Sequence, residues 1–240
     1  MGFIPDSVAV RLGKSIGIAA VDMRAFKPDA LLALIPEPFA CARDLLKYMG
    51  VAVVTSDDAD HFTLYATQLS EVNTKACLDQ IAPALGVSTV AKPGGIYQVG
   101  PAILHWEDGV LSVHEVGTQL PPLTPPDPEL LAQLGVVPPQ APGFLLIKGT
   151  TSGPPLRVTV WFALDHDIVD VTARAEGQTA GTAHDWVNGV VGGFTEGAKA
   201  RRVAIDESWF KVTESGLAST LEIRVPLAAI TAAAGPHATH

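Results

Sequence analysis

Acidic side chains and a histidine with the spacing of a metal site lie close together at Asp165, His166, Asp167 and Asp170. Carboxylate oxygens and an imidazole nitrogen so close along the chain suit a divalent cation. The same residues lie between two predicted strands, where acids and a histidine also form an ordinary solvated turn. The pattern leaves both interpretations open and favours the turn, so we predict no bound metal and no cofactor.

The other histidines that could do chemistry lie at two places. His105 and His114 flank the segment 107–109, and His184 precedes an aspartate. A hydrolytic triad also needs a nucleophile held by local geometry, and no serine lies in a strained glycine turn that would supply it. The chain also lacks the phosphate-binding, dinucleotide-binding, nucleophile-elbow and metalloprotease motifs. We therefore predict that the protein is not an enzyme and has no catalytic residues.

The elements that position these residues are mostly strands. Apolar and polar residues alternate over 156–164 and 217–227, which predicts two strands that each bury one face. Glu107-Asp108-Gly109 predicts a hairpin turn. Weaker strand candidates are 50–55, 62–69, 96–105, 110–116, 144–148, 168–175 and 203–212. Predicted helices are 6–12, 29–34, 39–49 and 74–85, and the glycine-rich segment 186–197 is ambiguous.

Prolines interrupt the middle of the chain, where ten of the nineteen fall between Pro121 and Pro155. Within this stretch, Asp127 as cap, a proline in the first turn and Gly135 as the stop predict a short helix. This helix is either an insertion on two loops or a boundary between subdomains. We predict a single domain over residues 1–230 and a short tail over 231–240. Because strands outnumber helices without regular alternation, we expect an α+β fold: a twisted, largely antiparallel sheet with flanking helices.

The composition is poor in charge for a globular chain. Charged residues make up 17% of the 240 residues and hydrophobic residues 48%, against about 25% charged in ordinary soluble domains. The resulting apolar surface indicates a partner, a membrane or self-association, although a composition rich in alanine and glycine also produces it. Cys41 and Cys77 are too few for a disulfide framework. We therefore expect both thiols to be reduced and buried in a cytoplasmic protein.

Cations concentrate at the beginning of the chain, at Arg11, Lys14, Arg24 and Lys27. Residues 1–49 hold six Lys and Arg against five Asp and Glu, so the rest of a chain of net charge −9 carries −10. A local basic segment can dock on anionic lipid at roughly 1 kcal/mol per well-placed cation. Nucleic acid is excluded as a partner because no basic stripe or reading module is visible. A solvated helix face is the ordinary alternative.

The order of features along the chain resembles that of the gasdermins, in particular their short bacterial and fungal members. The opening 11–34 is similar to theirs: a small helix, a strand ending in a basic residue, a proline and paired leucines. The similarity continues through 74–95, 97–116, 128–134 and 144–160, and closes with Trp209-Phe-Lys-Val-Thr-Glu-Ser-Gly216 leading into Leu221-Glu-Ile-Arg-Val225.

This resemblance implies a fold like the gasdermin N-domain and a pore-forming effector of cell death in defence. Such a protein binds membrane lipids, oligomerises with itself and inserts strand hairpins as a barrel. The residues that match the lipid-binding role are Arg11 and Lys14, followed by Arg24 and Lys27. We expect a cytoplasmic location for the dormant protein and a membrane location for the active one.

Two departures limit what the resemblance implies. Bacterial members usually carry a lipid-modified cysteine within the first few residues, whereas the first thiol here is Cys41. Many members also end in an inhibitory segment that a protease removes, whereas the chain after Ile230 is short. We expect either an activating protease or a partner chain to control the activity of the protein. Two other hypotheses stay open: a soluble α+β enzyme or ligand-binding protein with a site near Asp165-His166-Asp167, and a structural oligomer subunit.

Overall fold

The computed structural model describes residues 3–13, 15–26, 32, 35–56, 61–120, 122–149, 156–165, 167–200 and 204–229. The chain divides into two compact units, Met1–Ala132 (unit 1) and Gln133–His240 (unit 2). Lys14, Lys27, His166, the predicted tail and nearly all of the predicted helix 29–34 lie outside the described residues. The single domain expected over 1–230 stays a prediction.

Unit 1 contains four helices and seven strands within its described residues. The helices are α1 (Asp6–Ala9), α2 (Met23–Phe26), α3 (Ala40–Tyr48) and α4 (Glu71–Ile81). The strands are β1 (Gly17–Asp22), β2 (Val51–Ser56), β3 (Phe62–Thr67), β4 (Thr89–Lys92), β5 (Ile96–Val99), β6 (Ala102–Glu107) and β7 (Val110–Glu115). They lie in the order β1-β2-β3-β7-β6-β5-β4, and neighbours pair antiparallel. Helix α5 (Pro128–Leu134) contains the boundary between the units.

Unit 2 contains five strands and one long helix after that boundary, within the described residues. The elements are β8 (Gly143–Lys148), β9 (Leu156–Asp165), β10 (Ile168–Gly177), α6 (Ala180–Ala200), β11 (Phe210–Ser215) and β12 (Ala218–Pro226). The strand order is β8-β9-β10-β12-β11, again with antiparallel neighbours. Together the two units confirm the expected α+β class, a large antiparallel sheet with flanking helices.

The two units repeat one topology. In each, three antiparallel strands are followed by a crossover helix and then by a hairpin whose last strand pairs with the third strand. The helix is α4 in unit 1 and α6 in unit 2, and the final pairings are β7 with β3 and β12 with β10. Unit 1 differs by the additional hairpin β4–β5 between its helix and β6. The sequence analysis contained no sign of this repeat.

Alternation of apolar residues builds the core beneath each crossover helix. In unit 2, Leu156, Ala175 and Leu221 of the sheet pack in one cluster with Ala183 and Val187 of α6. The corresponding cluster of unit 1 consists of Met49, Ala66, Tyr97, Val99, Leu104 and Leu111, with Leu78 of α4 packed against it. Burying these side chains contributes roughly 1.5–3 kcal/mol for each large one, which fixes the helix on the sheet.

Most predicted elements are confirmed, with four corrections. The predicted helix 6–12 ends at Ala9. The predicted strand 96–105 is two strands, because Gly100 takes a left-handed φ of 54° and turns the chain. The predicted strand 203–212 begins only at Phe210. The ambiguous segment 186–197 is helical and belongs to α6. The hairpin turn is confirmed by positive φ at Asp108 (53°) and Gly109 (75°).

The expectation of two reduced cysteines is wrong for this structure. Cys41 of α3 and Cys77 of α4 form a disulfide with their Cα atoms 5.5 Å apart. The two cysteines are 36 residues apart in the sequence, so no local pattern indicated that they pair. Helix packing brings the two positions together, which only the tertiary structure could show.

Candidate functional site

Arg11, the first predicted lipid-binding cation, is buried. Only 6% of the residue is exposed. Its guanidinium donates to the backbone carbonyl of Ser7 at 2.5 Å and to the Glu107 carboxylate at 2.8 Å. The charge therefore fastens the end of α1 to the β6–β7 turn, which differs from the outward-facing basic helix expected from the sequence. Lipid binding by Arg11 stays a prediction, and it requires this ion pair to open.

Arg24 is half-exposed and is held by a neighbouring carboxylate. Its Nε and Nη2 each donate to Asp22 at 3.0 Å. Burial raises the pKa of Asp22, but the hydrogen bonds and charge of Arg24 outweigh it, so that the pKa lies below 3.8. Both described cations of the predicted basic segment are thus ion-paired, and Lys14 and Lys27 lie outside the described residues.

The described acids around Asp165 lie at the end of β9, before β10 and within β10. Asp165 ends β9 and faces Ile168, the first residue of β10. Asp170 accepts a hydrogen bond from Arg224 Nε at 2.7 Å. Among the described residues, which exclude His166, no group of three or more His, Cys, Asp or Glu side chains could hold a metal ion.

His184 and His114 make structural contacts. His184 Nδ1 lies 2.5 Å from Glu214 Oε1, and its Nε2 lies 2.7 Å from Asn188 Nδ2. His184 thereby connects α6 to β11. His114 Nδ1 lies 3.1 Å from the Glu115 carbonyl. These contacts align no nucleophile with an imidazole.

The β9–β10 hairpin is amphipathic over most of its length. Each strand has ten residues. One face is apolar, formed by Leu156, Val158, Val160, Phe162 and Leu164 of β9 with Val169, Val171, Ala173 and Ala175 of β10. The opposite face carries polar groups, including Thr159, Asp170 and Arg174, together with Trp161, Ala163 and Ile168 near the tip. The sequence analysis identified this alternation in β9, but not the matching apolar face of β10.

Helix α6 covers only part of this apolar face. Leu156, Val158, Ala173 and Ala175 are buried near the base of the hairpin. From Val160 to Thr172, no described residue is fully buried. Val160 and Val171 still pack against the cluster beneath α6, whereas Phe162, Leu164 and Val169 nearer the tip are only partly buried.

The hairpin at the same place in the repeat of unit 1, β2–β3, has a related surface. Val54 and Phe62 are 37% and 57% exposed. Val54 faces the partly buried Leu64 across the strand pair and Ala19 on β1. Exposed apolar clusters of this kind often mark surfaces for a partner or a membrane.

Comparisons with known proteins give a fold neighbour but no family. No family model matches the chain, and no curated protein matches it significantly. Crystal form III of TP0453 is similar with a TM-score of 0.60 at 10% identity, covering 94% of this chain and 97% of that one. Crystal form I gives 0.57 at 9% identity, covering 96% and 97%, and form IV gives 0.58 at 11%, covering 94% of both. This likeness supports the α+β fold alone.

Within the described residues, no helix combines the length and the apolar character that a membrane crossing demands.

Proposed function

We propose that the protein binds a lipid bilayer and permeabilises it by inserting the β9–β10 hairpin. The observation that supports this is the amphipathic hairpin with an apolar face only partly covered by α6. Ten residues per strand span about 33 Å at the usual rise of about 3.3 Å per residue. The hydrocarbon core of a bilayer is about 30 Å thick, and strands of about 9–11 residues cross it.

Insertion requires self-association. Every backbone N–H and C=O needs a partner in hydrocarbon, so an inserted hairpin must pair with hairpins of other copies. The alternating faces of the hairpin fit that arrangement, because the apolar face contacts lipid while the polar face stays in water. The proposal agrees with the resemblance to gasdermins and keeps their pore-forming role for this chain.

Release of the hairpin must separate β9 from β8 and β10 from β12, and it must lift α6 from the sheet. On the polar face, an ion pair at 2.7 Å between Arg224 of β12 and Asp170 of β10 joins the hairpin to β12. Exposed pairs of this kind contribute about 0–1 kcal/mol. The buried cluster beneath α6 is therefore the main barrier, and an activating partner chain or protease is expected to lower it.

Cations of the opening segment supply the first contact with anionic headgroups in this proposal. Arg24 is half-exposed, so its guanidinium can release the Asp22 carboxylate and bind the phosphate of a lipid headgroup instead. Arg11 contributes only after its pair with Glu107 opens, and Lys14 and Lys27 complete the proposed set.

The disulfide changes the compartment that we propose for the folded protein. Disulfides persist in secreted, periplasmic and cell-surface proteins and are rare in the reducing cytosol. Cys41–Cys77 joins two helices that pack on the core of unit 1. We therefore propose an oxidising compartment, in place of the cytoplasm expected from the sequence.

A reversible disulfide engineered between β10 and β12 tests the proposed function. Thr172 and Glu222 face each other in register, so T172C/E222C can form a cross-strand disulfide that keeps the hairpin in the sheet. T213C/T220C is the matched control, because it joins β11 to β12 and leaves the hairpin unattached. Dye release from vesicles of phosphatidylcholine and phosphatidylglycerol is measured before and after reduction, with and without limited proteolysis.

We expect the oxidised T172C/E222C protein to lose most of the dye release and to recover it on reduction. The control should release dye in both states, and it also reports any effect of reducing Cys41–Cys77. Full dye release by the locked protein would overturn hairpin insertion. A folded wild-type protein that neither binds nor permeabilises these vesicles would overturn the membrane function.

A further inference from the structure

Two aromatic rings and a carboxylate contact the ammonium group of Lys75 on α4. Its Nζ lies 5.2 Å from the centroid of the Tyr97 ring and 5.5 Å from the centroid of the Trp106 ring. A carboxylate oxygen of Glu71 lies 2.6 Å from the same nitrogen. A cation within about 6 Å of an aromatic centroid is attracted by the negative face of the ring. We refer to Glu71, Tyr97 and Trp106 together as the ammonium site.

Strand register and helix periodicity bring the three residues of the ammonium site together. Tyr97 of β5 pairs with the residue of β6 that stands two places before Trp106, so both rings lie on one face of the sheet. Glu71 and Lys75 are one helical turn apart on α4. The Tyr97 hydroxyl also donates a hydrogen bond to Asp79 of the same helix. The ammonium site is therefore assembled without the help of Lys75.

Lys75 is an occupant that the ammonium site can exchange. Its side chain is 26% exposed and that of Glu71 is 45% exposed, so water reaches the site. A lysine ammonium is compact and strongly hydrated, and its long side chain loses rotamer freedom when it is held in one place. The pair with Glu71 has the i,i+4 spacing that forms on a helix surface without any help from the rings. Lys75 can therefore leave the rings at little cost.

The charges beside the rings favour a cation from outside the chain. Glu71, Lys75 and Asp79 follow at intervals of four residues on α4, so two carboxylates flank one ammonium. Hydrogen bonding to Asp79 polarises the Tyr97 hydroxyl and makes its ring richer in electrons. The indole N–H of Trp106 is buried and has no hydrogen-bond partner within the described part of the chain. Trp106 thus contributes its ring rather than a hydrogen bond.

We propose that the ammonium site binds a quaternary ammonium group, and that Lys75 competes with this ligand from within the chain. A quaternary ammonium spreads its charge over its methyl groups and is weakly hydrated, so it loses less than Lys75 on entering the site. Aromatic rings recognise choline-type ligands in this way. The same group occurs in free choline-type solutes and in the headgroup of phosphatidylcholine. This inference does not depend on insertion of the β9–β10 hairpin.

Titration with tetramethylammonium tests the ammonium site in the absence of lipid. Lys75→Ala removes the competitor and keeps a good helix former in α4. Lys47→Ala is the matched control, because Lys47 also pairs with a carboxylate of its own helix, Asp44 on α3. Trp106→Leu and the milder Trp106→Phe are each combined with Lys75→Ala. Chemical shifts of the tryptophan indoles measure binding, ammonium chloride is the comparison cation, and thermal unfolding confirms that each variant is folded.

We expect Lys75→Ala to bind tetramethylammonium about tenfold more tightly than the wild type and Lys47→Ala. Trp106→Phe should weaken this binding, and Trp106→Leu should weaken it further, because tryptophan is the best ring for a cation. Ammonium should bind less well, since it is strongly hydrated. Equal affinity of Lys75→Ala and the wild type, equal affinity for both cations, or binding that both Trp106 variants leave unchanged would overturn the proposal.

Flotation with phosphatidylcholine vesicles distinguishes the two sources of the ligand. Flotation of Lys75→Ala that free phosphocholine competes away would identify the lipid headgroup. Binding of free phosphocholine without flotation would identify a soluble ligand, and both results support the ammonium site. No binding of either form would overturn it. The amount of dye released by the wild type does not enter these measurements, so this proposal and hairpin insertion fail separately.

Discussion

The two crossover helices occupy the same place in the repeat but are attached to their sheets very differently. Helix α4 is capped by Ser70, whose side chain accepts from the Asn73 amide at 3.3 Å. Near its end, Asp79 accepts hydrogen bonds from Thr89 Oγ1 at 2.5 Å and from the Tyr97 hydroxyl. The disulfide to α3 attaches the same helix on another side. In unit 1, α4 is therefore fixed by the Ser70 cap, by the disulfide to α3 and by hydrogen bonds from the β4–β5 hairpin to Asp79.

Helix α6 is longer and is held mainly by packing on β10 and β12. It runs over 21 residues, includes five glycines and buries only Ala183 and Val187 completely among its described side chains. Thr179 caps its first turn by accepting from the Thr182 amide at 3.3 Å, and Trp186, Val190 and Val191 pack against the core cluster of unit 2. Further contacts include the His184–Glu214 pair and an edge-on contact between Phe194 and Phe210, whose ring centroids are 5.5 Å apart. Unlike α4, it contains no cysteine and therefore has no cross-link to a second helix.

This difference shows that one topology supports a crossover helix fixed by a cross-link and another held by packing on the sheet. Local stability follows burial and hydrogen bonding rather than strand order. In the proposed function α6 is the element that moves, while α4 stays joined to α3. Three measurements can break or sharpen this comparison.

Removal of the disulfide should have the largest effect and should act on unit 1. A cross-link over a separation of 36 residues stabilises by about 3–4 kcal/mol, because it restricts the unfolded chain. C41A/C77A should lower the free energy of unfolding by that amount in a denaturant titration. Hydrogen exchange should accelerate in α3 and α4 and stay unchanged in α6. Equal acceleration in α6 would show that the helices do not differ in local stability.

A pair of opposite substitutions should give intermediate effects. Gly192→Ala in α6 should stabilise unit 2 by about 1 kcal/mol, since its open surroundings accept a methyl group. Ala76→Gly at an exposed position of α4 should destabilise unit 1 by about the same amount. Thermal unfolding and amide exchange of each helix measure both. Destabilisation by Gly192→Ala would mean that the glycine has a packing role.

The smallest expected effect is that of acid, which should weaken the attachment of α4 to the β4–β5 hairpin. Hydrogen bonds from Thr89, and then from Tyr97, hold the pKa of Asp79 below 3.8. A lowered folded-state pKa contributes stability that is present above pH 3.8 and is lost as the pH falls through the folded pKa. Asp79→Asn should therefore be less stable than wild type at neutral pH and should converge with it in acid. Thermal unfolding across this pH range measures the difference in stability between Asp79→Asn and wild type. A difference that stays constant with pH would contradict the role of Asp79.

Local patterns predicted many of the elements, because their signals depend on neighbours in sequence. Asp127 was expected to cap the short helix, and the Glu129 amide does donate to its carboxylate at 2.8 Å. Alternation located β9 and β12, and Glu107-Asp108-Gly109 located the β6–β7 turn. The candidate site was less accessible to sequence reasoning. Arg11 looked like a surface cation, whereas its partner Glu107 lies 96 residues away.

The sequence by itself determined the fold class, the amphipathic strands and the scarcity of charge, since periodicity and composition are properties of the chain. Only the tertiary structure decided which residues meet. It paired Cys41 with Cys77 and buried Arg11 against Glu107. It also revealed the repeated topology. These features depend on contacts between distant positions, which the folded packing of helices on strands selects and no local pattern encodes.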